Sequence, residues 1–120
     1  MTFTRIFAEM TVADLDAASA WYELLLGRGP DDRPMDGLLE WQVTGSGWLQ
    51  VFVDPERAGR STMTLGVADL DEFADALAAR GLELTSRMAT SRGQRLGSLA
   101  DPAGNLVTVA EELPPVSSTP

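Results

Sequence analysis

Any chemistry in this chain has to be done without histidine and without cysteine, because neither occurs among its 120 residues. Their absence removes Ser-His and Cys-His triads, thiol nucleophiles, disulfides, the usual zinc sites and the side chain best suited to proton transfer near neutral pH. Carboxylates, amides, hydroxyls and aromatic rings remain. Glu9 is the candidate general base, since burial among Phe7, Trp48 and Phe52 would raise its pKa toward neutrality; Glu40 is the rival placement. The plainer reading of Glu9 is a surface carboxylate or one half of an ion pair with Arg5 or Arg95. Phe7, Trp41, Trp48 and Phe52 could stack on an organic ligand, Gln50, Thr62, Thr64 and Thr108 could orient it, and Glu9 or Glu40 could meet a positive charge. A carboxylate metal site drawn from Glu9, Glu40, Asp54 and Glu111 lacks support, because no single element carries three of them. Ser91-Arg92-Gly93-Gln94-Arg95 could hold an anion but reads better as an exposed loop, and Asp54 and Asp101, each next to a proline, read as turn formers.

These residues sit on a pattern that occurs twice. Val12-Ala13-Asp14-Leu15-Asp16 returns letter for letter as Val67-Ala68-Asp69-Leu70-Asp71. Each copy follows a short apolar run and precedes a helical pattern, so each reads as a strand feeding a helix through an Asp cap. In the first strand Ile6, Ala8, Met10 and Val12 form the side expected to face a helix, opposite Phe7, Glu9 and Thr11. Leu15, Ala18, Tyr22, Leu25 and Leu26 follow at helical spacing, and Gly27 supplies the stop. Residues 29–37, with Pro30, Pro34 and several Asp, read as a connector or lid. Leu38–Val43 and Trp48–Val53 form a hairpin across Thr44-Gly45-Ser46-Gly47.

The second copy repeats the plan. Its helix, capped by Asp69 with Glu72 in the capping-box position, carries Leu70, Phe73, Ala74, Leu77 and Ala78 on one stripe and stops at Gly81. Strands are predicted from Leu82 to about Met88, over Leu96–Ala100 and over Leu106–Ala110, the last two joined by Asp101-Pro102-Ala103-Gly104-Asn105. The predicted class is α+β: two pseudo-symmetric βαβββ modules whose curled mixed sheets enclose a cavity. Module one spans 1–56 and module two 60–112 of a single domain over 1–113, followed by a disordered tail at 114–120.

Composition narrows the partners. With 44% hydrophobic residues the chain can build one core, and 18 acidic against 9 basic residues (net charge −9) disfavour nucleic acid and anionic membrane surfaces. No apolar run is long enough to cross a bilayer, and Met1-Thr2-Phe3-Thr4-Arg5 lacks a basic region followed by an apolar signal core; a cytoplasmic location is the expectation.

Taken in order, the repeated pentapeptide, Ala20-Trp21-Tyr22, Leu25-Leu26-Gly27, Ala79-Arg80-Gly81 and Asp101-Pro102-Ala103-Gly104-Asn105-Leu106 give the chain up to about Glu112 a resemblance to the vicinal oxygen chelate superfamily. That group includes glyoxalase I, bleomycin-resistance proteins, extradiol dioxygenases and fosfomycin-resistance proteins. The resemblance implies paired βαβββ modules around a concave site, often in a homodimer. In metal-dependent members it implies ligands at positions matching Phe7, Gln50, Thr62 and Thr108. Phenylalanine cannot coordinate a cation, and two hydroxyls with one amide make a poor divalent-metal site, so no metal and no cofactor is expected. The expected function is metal-independent binding of a small hydrophobic or cationic molecule in the sheet cavity, as in bleomycin-resistance sequestration. The alternative is a lyase or isomerase of the glyoxalase-like type with Glu9 as its catalytic base.

Overall fold

The computed structural model describes residues 2–113, so the expected tail at 114–120 lies outside the described residues. The order is β1 (Ile6–Val12), α1 (Leu15–Leu26), β2 (Asp32–Met35), β3 (Leu38–Gln42), β4 (Gly47–Val53), β5 (Thr62–Val67), α2 (Leu70–Ala79), β6 (Thr85–Ala89), β7 (Arg95–Ala100) and β8 (Leu106–Glu111). The duplicated pentapeptide does the same work in both places. The Asp14 carboxylate accepts from the Ala17 N–H at 3.1 Å, and that of Asp69 from the Glu72 N–H at 3.0 Å. Each satisfies a helix donor that would otherwise have no partner. Gly27 closes α1 at φ 80°, in the left-handed region where a side chain would be strained.

Each module forms one four-stranded sheet, in the orders β1-β4-β3-β2 and β5-β8-β7-β6. The outer strand of each α crossover runs parallel to its partner, β1 to β4 and β5 to β8, and the remaining pairs are antiparallel. Both sheets are open, with free edges, and the expected pair of curled sheets enclosing a cavity is not formed. A second departure lies in residues 29–37, read from the sequence as a connector. They contain β2, a fully exposed edge strand with Pro34 and a register shift between Asp32 and Met35. Proline cannot donate to a ladder, so it is tolerated only at such an edge or irregularity, where the strand signal is weakest. No helix of the described residues is long and apolar enough to cross a membrane.

The core lies between each sheet and its helix. Met10, Val12, Leu39, Trp41, Leu49 and Val51 pack against Ala18, Tyr22 and Leu25 in module one, and Met63, Val107 and Val109 share the core with Leu70, Ala74 and Leu77 in module two. Ile6 and Ala8 share a face with Met10 and Val12 yet are exposed, so only the second half of β1 is covered by its helix.

A polar seam joins the modules. The Asn105 side chain, fully buried, donates to the Thr11 carbonyl at 2.7 Å and to the Asp101 carboxylate at 2.8 Å, and accepts from the Ser61 N–H at 2.8 Å. Asp101 also accepts the Tyr22 hydroxyl at 2.8 Å, tying the Asp-Pro-X-Gly-Asn turn of module two to the helix of module one. Burial and the adjacent Asp101 carboxylate push the Tyr22 phenol far above its usual range, so it stays protonated and donating. Gly59 belongs to the same seam. At φ 83° its position would bring a Cβ within 2.4 Å of the Ala103 carbonyl oxygen.

Candidate functional site

Strand register sorts the candidate residues onto faces. Glu9, Gln50 and Glu40 lie opposite one another on β1, β4 and β3, and Phe7, Trp48 and Gln42 form the next row. Thr64, Thr108 and Ser98 form the matching row of module two. Gln50 is therefore to Glu9 what Thr108 is to Thr64, so Phe7, Gln50, Thr62 and Thr108 occupy equivalent positions in the two modules. Glu40 is buried on this face, with 5% exposure, and accepts a 2.6 Å hydrogen bond from the Gln50 amide. Phe52 and Thr108 are half-buried, and Thr62 and Thr64 are exposed.

Two placements correct the sequence reading. Glu9 is not enclosed by aromatic rings; its side chain is 45% exposed and pairs with Arg57 at 3.3 Å. Its partner is neither Arg5 nor Arg95. Trp41 faces away from the row that carries Glu40. It is wholly buried beneath α1, and its indole N–H donates to the Arg28 carbonyl at 3.0 Å, which makes it part of the core.

A cleft about 520 Å³ in volume lies between the modules. Ile6, Phe7 and Ala8 of β1, Trp48 and Leu49 of β4, Thr64 and Leu65 of β5, Leu25 and Leu26 of α1 and Phe73 of α2 line it. Ile6 and Ala8 are uncovered because they border this space. Of the ten candidate ligand residues the cleft collects Phe7, Trp48 and Thr64; Glu9, Glu40, Trp41, Gln50, Phe52, Thr62 and Thr108 do not line it. The rings of Phe7 and Trp48 sit with centroids 6.3 Å apart, and the Arg5 guanidinium lies 4.7 Å from each centroid. Arg80, at the end of α2, borders the cleft as well. Sequence reasoning did not single out Arg5, Arg80 or Phe73 for this role. Helical spacing shows that Phe73 is on the apolar stripe but not that part of the stripe faces a gap.

The four positions at which the resemblance implies metal ligands do not fit a divalent ion. They hold a phenyl ring, one amide and two hydroxyls, and among the described residues no group of three or more acidic side chains converges. Asp54 and Glu111 are committed elsewhere: Asp54 pairs with Arg57 at 3.5 Å, and Glu111 pairs with Arg95 at 2.6 Å. Arg95 also holds Asp71 at 2.9 Å, so the Ser91–Arg95 segment does not offer that arginine to an anion. The Arg95 guanidinium, together with the Leu70 N–H, keeps the Glu111 carboxyl below its ordinary value of 4.5. A carboxyl lowered in the folded state stabilises the fold above its unfolded pKa, and the contribution fades as pH falls through the lower folded value. Glu111→Gln is therefore expected to melt below the wild type at pH 7, with the difference fading as the pH falls from the ordinary value of 4.5 through the lower folded one; thermal melts across pH check this.

The profile of a family described as a glyoxalase-like domain matches residues 6–110. No protein of curated function matches the chain by sequence. Among solved structures, a glyoxalase/bleomycin resistance protein from Catenulispora acidiphila is 32% identical, with a TM-score of 0.86, covering 92% of this chain and 100% of that one. A bleomycin resistance determinant encoded on the transposon Tn5 is 25% identical, TM-score 0.72, with 92% and 98% covered. A bleomycin-binding protein solved with bleomycin, 24% identical with a TM-score of 0.73 and 92% and 100% covered, shares the fold. The chain belongs to the glyoxalase-like domain family and has the glyoxalase and bleomycin-resistance fold of the vicinal oxygen chelate superfamily.

Proposed function

We propose that this chain is a binding protein that holds a small apolar organic molecule in the cleft between its modules, without a metal ion and without changing the molecule. The observation that carries this reading is the cleft itself: a volume within the range of small-molecule sites, apolar walls, and the Phe7–Trp48 pair at its border. The relatives named for bleomycin resistance, and the bleomycin-binding protein that shares the fold, support sequestration as the mode of action. The cationic ligand considered from the overall acidity finds less support, because among the described residues no Asp or Glu lines the cleft.

A homodimer is part of the proposal. Met35 and Met88 are 59% and 60% exposed on the outer strands of the two open sheets, and a second copy would cover such apolar positions. Sedimentation measurements read the stoichiometry directly.

The enzymatic reading keeps one specific support, Glu40. A buried carboxylate with a hydrogen bond from Gln50 is a more suitable base than the exposed Glu9. Loss of a measured turnover in Glu40→Gln, with binding retained, would favour it.

The binding reading is tested by thermal shift of metal-stripped protein against apolar aromatic compounds, Ni²⁺ and Mn²⁺. A compound at a hundred times its dissociation constant adds about 2.7 kcal/mol to the folded state, and Trp48→Ala is expected to lose most of that shift. Strong stabilisation by either metal, or a full shift retained in Trp48→Ala, would count against the proposal.

A further inference from the structure

The cleft differs in charge from the molecule around it. The chain has twice as many acidic as basic residues, yet the only ionisable side chain among the cleft's lining residues is Arg80. Four other arginines, Arg28, Arg57, Arg87 and Arg95, each pair with a carboxylate. Among the described residues Arg80 has no carboxylate within 4.0 Å. Its Nε donates to the Leu24 carbonyl at 2.5 Å and its Nη2 to the Leu25 carbonyl at 3.2 Å. These contacts fix the guanidinium over Gly27 at the C-terminal end of α1, where Arg80 stands between the cleft and a second pocket bordered by Glu23, Leu24, Gly27 and Arg28, and leave Nη1 without a hydrogen-bond partner among the described residues. Carbonyl dipoles offset part of a cation's charge and leave its net charge in place. The second cation near the cleft is Arg5, whose guanidinium rests on the Phe7 and Trp48 rings that line it. Arg5 likewise has no carboxylate within 4.0 Å among the described residues.

We infer that the cleft selects an apolar molecule bearing one negative charge, a hydrophobic carboxylate, with Arg80 and Arg5 as its anchors. This rests on the binding reading above and names the ligand class. A guanidinium held by backbone contacts presents its remaining donor with little further loss of side-chain freedom, and charge-assisted bonds from arginine to carboxylate are stronger than neutral ones. Apolar walls weaken solvent screening of that contact. An ammonium ligand would meet two cations that no carboxylate pairs, and no acidic side chain among the described residues that line the cleft. Arg5 over the aromatic pair also takes the ring faces that a cationic ligand would use.

The test is a tryptophan-fluorescence titration of the full chain at neutral pH and low salt with three matched probes: 4-phenylbutyrate, 4-phenylbutan-1-ol and 4-phenylbutylammonium. The carboxylate is expected to bind at least tenfold more tightly than the alcohol, the ammonium more weakly than the alcohol, and the carboxylate preference to shrink as salt is raised. Arg80→Gln is expected to remove most of the carboxylate-to-alcohol ratio and Arg5→Gln to lower it several-fold. Arg80 also joins the helix ends, so circular dichroism accompanies that variant; Arg5→Gln and the salt series carry the test if it does not fold. Equal binding of carboxylate and alcohol overturns the charge selection while leaving the binding reading intact, and tighter ammonium binding does the same. If none of the three binds, both readings fall.

Discussion

Asn105→Ala is expected to destabilise the protein by about 3 kcal/mol, because leaving a buried polar group without its partner costs roughly 1–3 kcal/mol. The side chain meets the Thr11 carbonyl, the Asp101 carboxylate and the Ser61 N–H, and alanine replaces none of these contacts. The Thr11 carbonyl retains only a long bond from the Gly59 N–H at 3.4 Å. For a domain of this size a loss of that order lowers the melting temperature by roughly 10 °C or more. Chemical denaturation gives the free energy directly. A drop below about 1 kcal/mol would mean that water or a local shift satisfies these groups, and that the seam is not what holds the modules together. The effect lies on the link between turn sequence and module packing, since the turn that contains Asn105 is the same one that receives the Tyr22 hydroxyl from α1.

Trp41→Ala and Trp48→Ala are expected to separate stability from binding. Trp41 is wholly buried, its ring centroid 6.1 Å from that of Tyr22, and its indole N–H is paired. Truncating a buried tryptophan typically costs about 3–5 kcal/mol, from lost transfer energy plus the cavity left behind. Trp48 lines the cleft and is only half-buried, so its truncation is expected to cost much less stability and to remove ligand binding. Denaturation curves and a probe titration on each variant give the two readouts. Loss of binding in a folded Trp41 variant, with Trp48→Ala unaffected, would reverse the assignment of the two rings.

The duplicated pentapeptide, the glycine stops and the Asp-Pro-X-Gly-Asn turn made the module plan legible, because caps and turns act through neighbours in sequence. The edge strand β2 was not legible, since its residues are exposed and include Pro34, and its pairing with β3 comes from the adjacent chain rather than from its own pattern. Among the site residues, Glu40 and Trp41 could not both face a ligand: successive residues of a strand point to opposite faces. The alternation alone could have removed one of them. What periodicity could not say was which face α1 covers, nor that α1 stops short of Ile6 and Ala8. The Glu9–Arg57 pair and the Arg80 contacts with α1 join residues far apart in the chain, and no local pattern announces either. The cleft is a product of how two modules sit side by side, so it is visible only once both are folded.

The most direct test of the account is where a bound apolar probe lies. Backbone amide chemical-shift mapping of metal-stripped protein titrated with 4-phenylbutyrate is expected to perturb residues 6–8, 48–49 and 63–67, the strand segments that line the cleft, and to do so equally with and without a chelator. Perturbations confined to the row of Glu9, Gln50 and Glu40, or binding that appears only when a divalent metal is supplied, would contradict it.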